Sequence, residues 1–188
     1  MNKLIQIRGT NATGKTTAVR NLISEGKFKI FRIKVRGKEY PYTYDGEIVV
    51  GGRYDTRECG GLDGVIKDKN VMKEYIIKLL KELKPKTFIL DAVMYGVTFR
   101  FAYELNIVCK SLGYHYIGLT FAPPLDVSLL RLYQRNGGKD INVEHLQQKH
   151  IQSVKAYKRL KACGVDVRLI DTSKVPKEHM HKIIEDLL

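Results

Sequence analysis

One segment near the amino end constrains the fold more than any other part of this sequence. Residues 9–16, GTNATGKT, match the pattern G-x-x-x-x-G-K-[ST]. A short apolar run ending at Ile7 precedes the segment, and a helical pattern follows it as far as Gly26. In a strand, glycine loop and helix arranged in this way, backbone N–H groups and the helix N-terminus surround phosphate oxygens. The sequence therefore predicts a phosphate-binding loop after the first strand.

The side chains of this loop have distinct predicted roles. Lys15 is expected to reach the β- and γ-phosphates of a nucleotide, and the Thr16 hydroxyl can bind Mg²⁺. Asp91 ends a second apolar strand and is the expected acid that holds the metal through water, although an aspartate there can also be a simple cap. The predicted nucleotide-binding residues are Gly9, Thr10, Asn11, Ala12, Thr13, Gly14, Lys15, Thr16 and Thr17.

Apolar strands and helical patterns alternate along the rest of the chain. Helical spacing is found over 71–83, 98–112, 125–136 and 143–162, and apolar strands over 87–91, 114–121 and 165–170. Helices between apolar strands predict a parallel sheet covered on both faces. The chain has 188 residues, 44% of them hydrophobic, which fits one domain with a packed core. We therefore expect an α/β fold of the P-loop NTPase type, in a single domain over 1–188.

Residues 28–50 are expected to form an insertion in this plan. From 28 to 35 apolar residues alternate with basic ones, with one slip at Phe31, which predicts a strand with a cationic face and allows a bulge at the slip. Tyrosines then recur at every second position over 40–44, before the turn signal Asp45-Gly46. The pattern predicts a small β-hairpin insertion after the second strand.

The charge of the chain is large and unevenly distributed. The formal net charge is +13, and residues 27–38 and 125–163 together carry eleven of these charges. This clustering favours a polyanionic partner over two merely solvated faces, which is the alternative. The residues expected to contact nucleic acid are Lys29, Arg32, Lys34 and Arg36 on the strand, Lys155, Lys158, Arg159 and Lys161 on a late helix, and Tyr42 between Tyr40 and Tyr44. Tyrosines in this pattern can stack on bases or can be ordinary sheet residues.

Residues 125–142 have the features of a lid. Arg131 and Arg135 lie one helical turn apart and are followed by glycines. This arrangement resembles the mobile lid of small nucleotide and nucleoside kinases, in which arginines neutralise charge on the transferring phosphoryl group. The alternative is a solvated helix face. With this lid the expected fold is kinase-like.

The glycine-rich loop 51–64 is the expected acceptor side. Phosphorylation of an alcohol needs a carboxylate that orients the hydroxyl and accepts its proton, with a cation nearby. Asp55 with Arg53 supplies this pair, Asp63 is the competing base, and both aspartates can instead be turn formers. Cys59 is expected to pack within the loop. Tyr95 and Arg100 are expected either to line the acceptor pocket or to have a purely structural role.

Several classes of protein are disfavoured by the sequence. No apolar run approaches the roughly 20 residues of a membrane span, and the start of the chain lacks the pattern of a signal peptide. The three cysteines are far apart, which indicates reduced thiols. An N-K-x-D motif is absent, which argues against a GTPase. We expect a soluble protein of the cytoplasm, or of the host cytoplasm if it is viral, with no membrane partner.

The segments IRGTNATGKTTAVR and GGRYDTRECGGLDG, with the lid arginines, resemble a known family. These are the bacteriophage P-loop kinases that phosphorylate 5-hydroxymethyluracil within DNA, a step in thymidine hypermodification. One departure is Leu62, where a second cysteine of a CGGC run is expected.

The resemblance implies a mechanism and partners. The donor would be ATP with Mg²⁺, the acceptor would be the hydroxymethyl group of the base in DNA, and Asp55 would be the base. A nucleobase inside a duplex must be flipped out to reach such a site. The alternatives are a kinase for a free nucleoside or nucleotide and a DNA-binding protein that uses ATP as a switch.

Overall fold

The fold is built on a single seven-stranded sheet. The computed structural model describes residues 1–54, 61–62 and 65–188, without the side chains of residues 93 and 94. The strand order is β2-β3-β4-β5-β1-β6-β7. Strands β4, β5, β1, β6 and β7 are mutually parallel, and β3 is antiparallel to both β2 and β4. The strands are β1 (Lys3–Arg8), β2 (Lys29–Val35), β3 (Lys38–Tyr44), β4 (Ile48–Gly51), β5 (Thr87–Asp91), β6 (His115–Phe121) and β7 (Val167–Ile170).

Helices cover both faces of the sheet. On one face, α1 and the C-terminal helices pack around Ile5, Ile7 and Ile89; on the other, α2, α4 and α6 pack around Leu4 and Phe88. The predicted α/β sheet of the P-loop type is confirmed, with an antiparallel extension at one edge. The helices are α1 (Lys15–Glu25), α2 (Lys69–Leu83), α3 (Val93–Gly96), α4 (Phe99–Ser111), α5 (Leu125–Arg135), α6 (Val143–Ala162) and α7 (Lys182–Glu185), with a 3-10 helix at Lys177–His179.

Strand β2 differs from its predicted form at the slip. Its pairing with β3 is unbroken from Lys29 to Val35, so these residues contain no bulge. Phe31 lies on the same face as the buried Ile33 and Val35, and its ring stacks on Tyr42 with the centroids 5.6 Å apart. Ile30 is the residue out of pattern, because it faces outward and is 42% exposed.

The β2–β3 hairpin extends past the rest of the sheet. Gly51, the last residue of β4, pairs with Tyr42, which pairs with Phe31. Strand β2 continues four residues further, to Val35, so the hairpin projects roughly 13 Å beyond β4. Helix α2 supports this projection, because the Tyr75 hydroxyl donates to Pro41 O at 2.8 Å. Since β2 runs parallel to β1, the projection lies at the edge of the sheet where the phosphate loop begins.

None of the helices in the described part of the chain combines the length and the apolar character that a bilayer span requires.

Candidate active site

The loop between β1 and α1 has the backbone that its sequence pattern predicts. Gly9 has φ +133°, and a Cβ atom there would lie 2.4 Å from Phe121 O. Gly14 has φ +95° and is the N-cap of α1. Both positions require glycine, because an L side chain would be strained and, at Gly9, would collide with backbone. The loop therefore holds its N–H groups against the N-terminus of α1, as anion binding requires.

Lys15 lies inside this loop. Its side chain is almost fully buried, and Nζ donates to Thr10 O at 2.5 Å. The Thr13 hydroxyl donates to the same carbonyl oxygen at 3.1 Å. The ammonium group is thus held by the loop's own backbone, within reach of any phosphate that the loop binds.

Thr16 and Asp91 form a pair of oxygen ligands beside the loop. The Thr16 hydroxyl donates to Asp91 Oδ2 at 2.9 Å, and the carboxylate is 2% exposed. Burial raises the pKa of Asp91, and Lys15, Thr16 and Tyr54 partly offset this effect. A hydroxyl and a carboxylate are hard oxygen donors of the kind that Mg²⁺ prefers. The predicted metal residues are therefore adjacent, and their chemistry fits the ion.

A cleft of about 380 Å³ opens over the loop. Its walls bring together residues 11–17 of the loop with the predicted lid residues Arg131 and Arg135, which α5 contributes with Gln134. Val175, Lys177 and Met180 close the cleft from the segment after β7. This volume lies within the range of ligand pockets.

Thr172 joins the lid helix to the loop. It is fully buried, and its hydroxyl donates to Thr13 O at 2.8 Å. Arg131 donates to the same hydroxyl through Nη1 at 3.2 Å and to Thr172 O through Nη2 at 3.0 Å. Arg131 is thus fixed at the cleft, whereas Arg135 is exposed there.

The acceptor side is described only in part. Arg53 is exposed and follows β4 by two residues, whereas Asp55, Cys59 and Asp63 lie outside the described residues. Leu62 is fully buried in the core, where the resemblance led us to expect a cysteine.

Tyr95 and Arg100 have structural partners. The Tyr95 hydroxyl donates to Ile66 O at 3.2 Å, and its ring lies 4.8 Å from that of Phe101. Arg100 is exposed and pairs with Glu104. These contacts favour the structural interpretation of the two residues over a place in an acceptor pocket.

Arg8 connects the start of the loop to the segment between β5 and α4. It is fully buried, and Nε donates to Gly96 O at 2.8 Å while Nη2 donates to Thr98 O at 3.2 Å. Burial lowers the pKa of this guanidinium. The segment that follows Asp91 is therefore tied to the residue that precedes Gly9.

The basic residues of β2 do not share one face. Arg32 and Lys34 are exposed on the projecting part of the hairpin, while Lys29 lies at the opposite end and on the opposite face. Arg36 follows the strand and pairs with Glu74 through hydrogen bonds of 2.5 and 2.9 Å. This pairing raises the pKa of Arg36 and lowers the pKa of Glu74. The single cationic face predicted for Lys29, Arg32, Lys34 and Arg36 is wrong, because strand geometry separates its members.

The tyrosines of β3 face the protein. Tyr42 is 8% exposed and packs in the core, and the Tyr40 ring lies 6.3 Å from that of Tyr75. The structure thus favours the interpretation of these tyrosines as sheet residues. In the β2–β3 hairpin, the ring of Phe31 is exposed, at 41%.

On α6, Lys155, Lys158, Arg159 and Lys161 are all exposed. The Arg159 guanidinium lies 4.2 Å above the Phe99 ring.

Two phage proteins are similar to the whole or most of the chain. A 5-hmdU DNA kinase of Pseudomonas phage M6 is 29% identical over 195 aligned positions, which cover 98% of this chain and 99% of that protein. A 5-hmdU DNA kinase of Delftia phage PhiW-14 is 31% identical over 78% of this chain. The chain spans 59% of the length of the Delftia phage protein. This chain has the P-loop fold and is homologous to the phage 5-hmdU DNA kinases. No protein-family model matches it.

Solved structures share the fold of this chain at low sequence identity. A tunicamycin resistance protein of Deinococcus radiodurans superposes with a TM-score of 0.55 at 18% identity, covering 100% of this chain and 95% of that chain. The YorR protein of Bacillus subtilis superposes with a TM-score of 0.57 at 17% identity, covering 98% of this chain and 95% of that chain. A fungal RNA kinase superposes with a TM-score of 0.57 at 15% identity, covering 100% of this chain and 44% of that chain.

Several residues at the cleft were missed by sequence reasoning. Thr172 is the second residue after β7, and the carboxyl ends of parallel strands meet at one edge of a sheet, so its position offered a usable signal. Val175, Lys177 and Met180 carry no pattern that distinguishes them from surface residues. Only the fold brings them to the loop.

Proposed function

We propose that the kinase transfers the γ-phosphoryl group of ATP to the hydroxymethyl group of 5-hydroxymethyluracil in DNA. The observation that carries this proposal is the similarity to a phage 5-hmdU DNA kinase over 98% of the chain. The geometry of the cleft supports the phosphoryl-transfer half, and the charge of the projecting hairpin supports the DNA half.

The donor side follows from the loop and the lid. Backbone N–H groups of residues 9–16 and the N-terminus of α1 bind the ATP phosphates, with Lys15 contacting the β- and γ-phosphates. Arg131 and Arg135 face the same cleft and stabilise negative charge on the transferring group. Because Thr172 already orients Arg131, little reorganisation of that side chain is needed when the nucleotide binds.

A magnesium ion would be held by Thr16 directly and by Asp91 through water. When bound, it neutralises phosphate charge and aligns the oxygens of the triphosphate. The buried carboxylate is suited to this role, because a cation compensates the cost of keeping Asp91 ionised away from solvent.

The acceptor chemistry needs a base and an in-line hydroxyl. The hydroxymethyl oxygen forms a bond to the γ-phosphorus, the bond from this phosphorus to the β–γ bridging oxygen breaks, and ADP leaves. We assign acceptance of the hydroxyl proton to Asp55, with Arg53 as the positioning cation and Asp63 as the competing base. Asp55 and Asp63 lie outside the described residues, so this assignment rests on the sequence.

The polymer substrate is supported by the projecting hairpin. Arg32 and Lys34 stand on strand residues that pass beyond the end of β4, at the edge where the phosphate loop lies. Cations placed there would contact phosphates that flank a flipped nucleotide. A free nucleotide would not extend to this hairpin.

Labelling experiments test the proposal. The kinase is incubated with γ-labelled ATP and three acceptors: DNA that contains 5-hydroxymethyluracil, the same DNA with thymine, and the free hydroxymethyl nucleotide. We expect label only on the first DNA. Label on the free nucleotide alone would refute the proposal, as would DNA binding that depends on ATP without any phosphorylated product.

Variants locate the activity in the described cleft. Lys15→Ala is expected to abolish labelling while leaving DNA affinity unchanged, because Lys15 lies inside the nucleotide loop. Lys81→Ala, an exposed position on α2, is the matched control and should label normally. Asp55→Asn and Asp63→Asn are then compared. The catalytic base is the aspartate whose replacement lowers kcat.

A further inference from the structure

Helix α4 carries a pair of stacked rings, of which Tyr103 is exposed and Phe99 is half-buried against the core. Phe99 and Tyr103 lie one helical turn apart, with their ring centroids 5.4 Å apart and their planes at 21°. Tyr103 is 37% exposed, and Ile107, one turn further along the same face, is 52% exposed. Large apolar groups in a contiguous exposed row indicate a surface that contacts a partner.

Cations surround this pair of rings. The Arg159 guanidinium of α6 lies over the Phe99 ring at 4.2 Å, and Lys155 is exposed one helical turn away from Arg159. On α4 itself, Arg100 and Lys110 are exposed. The acid on this helix, Glu104, is bound by both Lys73 and Arg100, which hold its pKa at about 2. The charge around the rings is therefore positive.

The rings are connected to the start of the phosphate loop through Arg8. Phe99 follows Thr98, whose carbonyl accepts a hydrogen bond from Arg8 at 3.2 Å, and Arg8 precedes the first glycine of the phosphate loop. Phe99 is also the first residue of α4, which starts at the edge of the sheet where that loop lies. A DNA strand with one nucleotide in the active site would have its neighbouring nucleotides near this edge.

We propose that the Phe99–Tyr103 pair, with Arg159, is a stacking platform for an unpaired nucleobase of the DNA strand beside the target nucleotide. This site extends the proposed function and rests on it. Stacked aromatic rings next to cations bind single-stranded nucleic acid with little regard to sequence, because every base has a flat face and every linkage a phosphate. The platform holds the strand that base flipping has opened.

A single tryptophan reports directly on this contact. The sequence has no tryptophan, so Tyr103→Trp introduces the sole indole fluorophore. Titration with single-stranded DNA should quench its emission to saturation, whereas ATP alone should not. Leu169→Trp is the matched control, at a position that is 46% exposed on the edge strand β7, and DNA should leave its emission unchanged. Equal responses of the two reporters, or no quenching of Tyr103→Trp, would overturn the platform.

Affinity measurements separate stacking from general packing. Tyr103→Ala should weaken binding of single-stranded DNA about tenfold, and Tyr103→Phe should bind as the wild type does. The loss should disappear when the nucleotide beside the target is abasic, because no base remains to stack. Tyr133→Ala, an exposed aromatic on α5, should have no effect on DNA affinity. A Tyr103→Ala loss that persists on the abasic strand would refute the stacking role.

Two further outcomes distinguish this proposal from its alternatives. Sedimentation that shows a dimer dissociated by Tyr103→Ala would assign the surface to a second copy of the chain and would overturn the platform. DNA labelling by ATP without quenching of the reporter would overturn the platform and leave the proposed function standing. Quenching of the reporter without labelling of the DNA would refute the proposed function and leave the rings as a binding site for single-stranded DNA.

Discussion

At the scale of single residues, two glycines with left-handed backbone differ in their surroundings. Gly9 has φ +133° and a potential Cβ 2.4 Å from Phe121 O, whereas Gly37 has φ +81° and no described heavy atom within 4 Å of its potential Cβ. Gly37→Ala should cost about 1 kcal/mol through backbone strain alone. Gly9→Ala should cost roughly 3 kcal/mol or more, because β6 backbone must move. Urea unfolding measures the free energy of unfolding of both variants. Equal losses of stability would contradict the predicted difference.

Thr172 is a second test at this scale. Thr172→Val keeps the shape of the side chain but removes the hydroxyl that bonds Thr13 O and Arg131. We expect a loss of stability of about 1–3 kcal/mol, because buried polar groups are left without partners, and weaker ATP binding through the misplaced Arg131. Thr172→Ser should restore both. Calorimetric titration with ATP measures the affinity, and a valine variant that binds ATP normally would show that Thr172 does not position the lid arginine.

At the scale of secondary structure elements, α2 and α4 are joined by a charged cluster. Lys73 of α2 and Arg100 of α4 both bind Glu104, which lowers its pKa from 4.5 to about 2. Because the pKa of the folded state lies below that of the unfolded state, the stabilisation is present above about pH 4.5 and is lost as the pH falls towards 2.

The expected result is a pH-dependent loss in Glu104→Gln. The variant should be less stable than the wild type by about 1 kcal/mol at pH 7, and the difference should shrink by pH 3. Urea unfolding at both pH values measures the difference in stability. Glu82→Gln is the control, since among the described residues Glu82 forms its ion pair with Lys78 on the same helix. A difference that is the same at pH 3 and pH 7 would exclude ionic pairing as its cause.

The order of helices and strands was largely predictable from the sequence, but the details of the edge strand β2 and of the remote cleft residues were not. Helical spacing gave 98–112 and 143–162, close to α4 and α6, because periodic apolar residues reflect burial on one side of a helix. The alternation of β2 was misassigned, because Ile30 is apolar yet faces outward, and because Phe31, on the inner face, is held by a ring contact that only the pairing with β3 creates. The loop pattern, Thr16 and Asp91 were found from the sequence, since local chemistry requires them. Val175, Lys177 and Met180 come from a remote segment that only tertiary structure brings to the cleft.

At the scale of the whole molecule, the surplus of positive charge predicts salt-dependent binding to DNA. Replacing both Arg32 and Lys34 with alanine should weaken DNA binding and reduce the slope of log K against log salt by about 2, because each phosphate contact releases condensed counterion. Arg36→Ala should change the slope less, since Glu74 already pairs with this arginine. Fluorescence anisotropy at several salt concentrations measures the slopes. Equal slopes for the wild type and the double variant would exclude the hairpin as a phosphate contact.

The projecting hairpin also has a consequence for how such proteins diversify. It enters and leaves the sheet through adjacent strands. At its tip, a Cβ atom added to Gly37 would have no described heavy atom within 4 Å. Its length can therefore change by insertion or deletion without altering the phosphate loop, the Thr16–Asp91 pair or helix α5. A lineage could exchange this one segment to move between small and large acceptors while it inherits the catalytic centre unchanged.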